Sequence, residues 1–138
     1  MTEAKKVEQV ASDKIKVLLV EDDAMIVDMY KLRLESEGYE VTVTEKGSEA
    51  LELAKSQKPA IILLDIMLPE TDGFSILKTL KDDVDLKSIP VILLTNLSQE
   101  SDHKKGLEYG AQEYLVKSQN TPAEVIQKVQ KLINNEIV

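Results

Sequence analysis

The sequence contains no cysteine and no tryptophan, a single phenylalanine and a single histidine. Without cysteine there is no disulfide framework, no thiol nucleophile and no thiolate metal site. Basic charge is scarce: 17 Lys and Arg stand against 25 Asp and Glu, for a formal net charge of −8. A surface that binds nucleic acid on its own carries a basic field, so direct nucleic-acid binding is disfavoured. The acidity reads first as solubility. No apolar run is longer than that of Ala60–Leu64, far short of a membrane span. Met1–Asp13 is polar and lacks the apolar stretch of a secretory signal. A cytoplasmic protein with no membrane partner is the expectation.

What is present suits one domain. The chain has 138 residues, of which 43% are hydrophobic and 30% charged, enough for a core and a soluble surface. Residues 1–13 read as a short flexible leader and residues 14–138 as the domain.

Two kinds of segment alternate after the leader. Ile15–Val20, Ala60–Leu64, Val91–Leu94 and Tyr114–Val116 are short and nearly continuously apolar. Such runs suit strands covered on both faces. Val41–Thr44 alternates apolar and polar, as an edge strand does. Between these lie helical spacings. Ile26, Met29, Tyr30 and Leu34 precede a stop at Gly38. Ala50, Leu51 and Ala54 stop before Pro59, and Phe74, Leu77 and Leu80 follow. Ser101–Tyr109 is a more polar helix ending at Gly110. Thr121, Pro122 and Glu124 form a capping-box start, with Val125, Val129 and Leu132 as the stripe behind it. Five strands alternating with five helices predict an α/β domain with a parallel sheet and right-handed crossovers. In such sheets the chemistry lies beyond the carboxyl ends of the strands.

Polar residues wait at those ends. The first strand runs into Glu21-Asp22-Asp23, the third into Asp65, the fourth into Thr95 and the fifth into Lys117. One acid of the trio serves readily as a helix N-cap, either Asp22 or Asp23, but three exceed what a cap needs. Asp65 sits between Leu64 and Ile66, where a carboxylate is costly unless paired. Thr95 or Lys117 alone would mean little; the combination is specific. Gathered carboxylates repel and call for a cation. An all-oxygen set with few protein donors favours Mg²⁺, which also binds phosphate oxygens. An aspartate can accept a phosphoryl group as a nucleophile, and the transfer needs mainly positioning and charge stabilisation.

From Lys14 to Ile133 the sequence resembles the receiver domain of two-component response regulators. The resemblance rests on Val17–Asp23, Leu64–Pro69 with Asp72-Gly73, Pro90–Thr95 and Tyr114–Lys117. It implies the flavodoxin-like fold, a doubly wound five-stranded parallel sheet of order 2-1-3-4-5 flanked by five helices. It implies Asp65 as phosphoacceptor and Asp22 as direct Mg²⁺ ligand, with Glu21 acting through water. The Met67 carbonyl would be a further ligand, Thr95 the hydroxyl that swings toward the phosphoryl group and Tyr114 the aromatic switch. Lys117 would be the ammonium that pairs with the acceptor and then with phosphate. It further implies a sensor histidine kinase or phosphotransfer protein as donor and a protein target for the signal, reached by contact. A homodimer is left open. The domain would catalyse only its own phosphorylation and dephosphorylation.

Two positions depart from the pattern. Ser118 stands where proline is usual, so either a trans Lys117–Ser118 bond or a strained cis one is expected. Asn96 stands where a small residue is commoner and would narrow access to Asp65 or bond the phosphoryl group. Met67 and Leu97, both apolar, flank the path of a hydrolytic water. His103, in the polar fourth helix, reads as an exposed bystander. Rival functions are weaker. A docking-only module generally loses a key residue, and here all are present. A phosphatase with an aspartate nucleophile needs an acid at the position of Met67. No glycine-rich phosphate loop follows the first strand, which disfavours a nucleotide or flavin binder.

Overall fold

The computed structural model describes residues 14–134; the leader assigned to residues 1–13 lies outside them. Five parallel strands form one sheet: β1 (Lys16–Val20), β2 (Glu40–Thr44), β3 (Ile61–Leu64), β4 (Val91–Thr95) and β5 (Glu113–Val116). Their spatial order is β2-β1-β3-β4-β5, the 2-1-3-4-5 arrangement expected. Five helices connect and cover them: α1 (Ala24–Ser36), α2 (Gly47–Gln57), α3 (Gly73–Asp82), α4 (Glu100–Glu108) and α5 (Pro122–Ile133).

The continuous apolar strands divide their side chains between two cores. Val17, Leu19, Ile61, Leu63, Ile92 and Leu94 face α1 and α5, whose Tyr30, Leu34, Val125, Ile126 and Val129 complete that layer. Leu18, Val20, Ile62, Leu64 and Leu93 face the other way, onto Ala50, Ala54, Phe74, Leu77 and Leu80. Period-two alternation thus produces both layers, and burial on both faces explains why the runs are nearly free of polar residues, Lys16 at the start of β1 being half-buried. The edge strand is different. Its alternation does not sort into a wet and a dry face, because Val41, Thr42 and Val43 are all half-buried. The helix stripes hold with one exception: Met29 is exposed, and only Tyr30 and Leu34 of α1 are buried.

Helix ends follow local chemistry. The Asp23 side chain accepts from the amides of Met25 and Ile26 and caps α1. Thr121 and Glu124 form the reciprocal capping box of α5, with Pro122 in the first turn. Gly38 and Gly110 take positive φ, 93° and 106°, just past α1 and α4.

One element escaped the sequence reading. Met67–Leu68 and Thr71–Asp72 pair as a short antiparallel ladder around Pro69-Glu70, with Glu70 at φ 62°. The ladder holds the segment after Asp65 against the start of α3. There the Gly73 amide donates to the Ile66 carbonyl at 2.9 Å. A Cβ on Gly73 would lie 2.4 Å from the Ile66 Cα and 2.7 Å from the Asp65 carbonyl oxygen. Both are backbone atoms that cannot rotate away. Gly73→Ala is therefore expected to destabilise the domain by about 2–4 kcal/mol, measured as a lowered urea midpoint. A midpoint equal to that of the native chain would show that this approach does not constrain the loop.

Candidate functional site

The carboxyl ends of β1, β3, β4 and β5 bring the polar residues to one rim. Glu21 and Asp65 are 2% and 6% exposed and Thr95 is fully buried, whereas Asp22 is exposed. The Lys117 ammonium lies between the two buried carboxylates, 2.6 Å from Glu21 Oε1 and 2.8 Å from Asp65 Oδ2. Carboxylate oxygens of Glu21, Asp22 and Asp65 lie within 4.8 Å of one another.

Backbone amides take up the remaining oxygens. Glu21 Oε2 accepts from the amides of Asp22 and Asp23, each at 3.1 Å. Asp65 Oδ1 accepts from the Met67 amide at 3.0 Å. Of the two candidate caps, Asp23 serves α1, and Asp22 is left to the acid cluster. Burial pushes the Glu21 carboxyl above its usual range, only partly opposed by the hydrogen bond from Lys117. Burial alone would lower the Lys117 ammonium, but its bonds to Asp65 and Glu21 outweigh that and hold it above the ordinary lysine value. The amine is therefore charged throughout the physiological range.

The hydroxyl side of the rim is built from β4 and β5. Thr95 Oγ1 accepts from the Leu97 amide at 3.3 Å. Tyr114, on β5, points inward with its ring buried and donates its hydroxyl to the Leu97 carbonyl at 2.7 Å. Burial, then the charges of Asp102 and Asp65, push its phenol up to about 12, so it remains a donor. His103 is exposed, as expected, but it is not without contact: its ring stacks on that of Tyr114. Nothing in a one-dimensional reading of a polar helix signals that contact.

The two departures resolve simply. No peptide bond among the described residues is cis, so Lys117–Ser118 is trans, and Lys117–Gln119 forms a single 3₁₀ turn. Lys117 still reaches both carboxylates. Asn96 is exposed at the rim beside Thr95. Met67 is exposed and Leu97 half-buried.

The donor set suits a hard divalent cation: three carboxylates close together, one of them exposed, and no nitrogen or sulfur ligand among them. A doubly wound sheet that presents acids, an ammonium and a hydroxyl along one edge defines a phosphoryl-accepting signalling domain. The comparisons agree. A family model described as the response regulator receiver domain matches residues 17–130. The polar-differentiation response regulator DivK of Brucella anthropi is 38% identical over 106 residues, covering 77% of this chain and 86% of the relative. The BeF3-activated receiver domain of Klebsiella pneumoniae RstA is similar with a TM-score of 0.79 at 31% identity, covering 86% of this chain and 97% of that one. The Mn(2+)-bound form of response regulator Rcp1 gives 0.74 at 29% identity, covering 85% and 92%. The chain belongs to the response regulator receiver domain family, and it is a phosphorylation-activated signalling switch.

The Lys117 contacts make a direct stability test. Its side chain is 11% exposed, and removing it leaves two buried carboxylates facing each other. Lys117→Met is expected to cost about 3–5 kcal/mol in chelator-containing buffer. Adding Glu21→Gln should recover part of that loss, because it removes one of the unpaired charges. A double variant no more stable than Lys117→Met would show that repulsion between the carboxylates is not the cause. Denaturant unfolding of the native chain, both single variants and the double closes the cycle.

Proposed function

We propose that Asp65 is the phosphoacceptor and that the acid cluster holds Mg²⁺ while it works. One observation carries this reading: Lys117 spans Asp65 and Glu21, with Asp22 beside them. A carboxylate held buried, amide-bonded and ammonium-paired is oriented, and its attack needs no proton removed from it.

In the transfer an Asp65 oxygen attacks phosphorus, the bond from phosphorus to the donor nitrogen breaks and an aspartyl phosphate forms. The donor phosphohistidine, protonated on its other ring nitrogen, leaves as neutral imidazole. Lys117 then trades a carboxylate oxygen for a phosphoryl oxygen, and the Thr95 hydroxyl swings to donate to another. Mg²⁺, held by Asp22, Asp65, the Met67 carbonyl and, through water, Glu21, would neutralise phosphoryl charge. The Mn(2+)-bound form of Rcp1 supports a divalent cation at a domain of this kind. On this reading the domain promotes its own phosphorylation and dephosphorylation and no other reaction. The donor is a sensor histidine kinase or phosphotransfer protein, the output is a contact with a target protein, and the setting is the cytoplasm. Among the described residues no helix is long and apolar enough to cross a membrane.

A protein donor must approach past exposed apolar side chains. Met67 is 57% exposed at the rim and Met25, at the start of α1, is 82% exposed. An apolar surface that a partner covers is a natural contact at such a rim.

Intact mass spectrometry tests the reading. After incubation with acetyl phosphate and Mg²⁺ the native chain should gain one phosphoryl group and Asp65→Ala none. An unmodified native chain would overturn the proposal. The same experiment followed in time tests the water path. With Met67 and Leu97 unable to orient an attacking water, the phosphorylated chain should decay slowly; loss within seconds would contradict this.

A further inference from the structure

His103 is the sole histidine of the chain, and its imidazole lies on the ring of Tyr114. The centroids are 5.0 Å apart and the planes are within 14° of parallel. The Cδ2–Cε2 edge of the tyrosine ring meets α4 at Gly106. A Cβ there would come within 2.9 Å of Tyr114 Cδ2 and 2.6 Å of Leu93 Cδ1. His103 and Gly106 are three residues apart, on one face of the helix. Helix α4 therefore supplies both an open place for the ring, at Gly106, and an aromatic cover over it, at His103.

The far end of the ring is tied to the phosphorylation rim. The Tyr114 hydroxyl donates to the Leu97 carbonyl at 2.7 Å, and the Leu97 amide donates to Thr95 Oγ1 at 3.3 Å. Contacts thus run without a gap from the buried hydroxyl at the carboxyl end of β4 to an exposed imidazole on α4. Apart from His103, every group in this path is buried or half-buried.

We propose that His103 is a positioning residue for Tyr114. Its imidazole closes the exposed side of the ring's pocket, holds the ring inward and couples the face of α4 to the state of the rim. The inference rests on the phosphoacceptor reading above. A phosphoryl group that recruits the Thr95 hydroxyl takes it from the Leu97 amide, and Leu97 is what the tyrosine hydroxyl holds. Once Thr95 turns away, the tyrosine bond is the one of these two that still holds Leu97, so a group that keeps the ring inward supports the phosphorylated state more than the unmodified one, and by reciprocity phosphorylation changes the environment of that group. Removing the stack is expected to weaken the coupling by about two- to tenfold, the range of an aromatic pair.

With one histidine, the imidazole Cε1–H gives a single, unambiguous carbon–proton correlation in an NMR spectrum. At fixed pH that signal should move when Mg²⁺ and beryllium fluoride, a phosphoryl mimic, are added to the native chain, and stay in place in Asp65→Asn. His103→Ala should need about two- to tenfold more acetyl phosphate for half-phosphorylation, read by intact mass, and His103→Phe should restore the native value by replacing the stack. A native chain that gains phosphoryl mass while its imidazole signal stays fixed overturns the inference and leaves the phosphoacceptor reading standing. So does a His103→Ala chain that phosphorylates like the native one, or a His103→Phe chain as impaired as His103→Ala. A native chain that gains no phosphoryl mass overturns both.

Discussion

The Lys117 ammonium between Glu21 and Asp65 is the interaction on which the rest depends. Two carboxylates this buried cannot both stay charged side by side without an opposing charge. Three carboxylates at the rim against one ammonium leave two negative charges, the amount one divalent cation offsets. One ammonium thus pairs the two buried carboxylates, and the acidity that remains suits the divalent cation proposed above. The raised carboxyl of Glu21 records the strain of that arrangement: burial dominates, and the lysine only partly relieves it.

The fold makes this tolerable because parallel strands deliver their ends to the same edge. Each side chain at the rim follows a strand whose own residues pack into both cores. The backbone then supplies what side chains do not. Amides of Asp22, Asp23 and Met67 satisfy carboxylate oxygens that would otherwise be desolvated without partners. Every buried side-chain nitrogen or oxygen among the described residues has a hydrogen-bond partner. The ladder after Asp65 and the glycine at the start of α3 fix where the Met67 amide points, which ties a packing constraint to the electrostatics of the acceptor.

Much of this was legible in the sequence. Continuous β-branched and leucine runs, the capping box at Thr121 and the acids at the strand ends are local signals, and each falls where expected. Lys117 was readable as a neighbour of Asp65 because parallel strands deliver their carboxyl ends to one rim, and its pairing with that carboxylate came from the family resemblance. What escaped has a common cause. The ladder around Pro69-Glu70 is two residues on each side, too short to have a period. The exposure of Met29 depends on which face of α1 the sheet takes. The stack of His103 on Tyr114 joins residues of different elements through a gap that exists only because residue 106 is glycine. Such contacts are set by packing geometry, which no spacing rule encodes.

On the proposed reading, that geometry also accounts for how so tightly paired a rim can switch. The bond from the Leu97 amide to Thr95 Oγ1 is 3.3 Å long, at the weak end of the range. A hydroxyl held so loosely loses little by turning toward a phosphoryl oxygen, where a charge-assisted bond is roughly twice as strong. The tyrosine bond to the Leu97 carbonyl is short, 2.7 Å, and a phenol pushed up to about 12 stays a donor at any cellular pH. In the proposed switch the weak bond is the one that exchanges, and the strong one carries the consequence outward. The tight pairing at Lys117 and the loose bond at Thr95 are complementary in that proposal: the first would fix where the charge arrives, and the second would let the backbone after β4 respond to it.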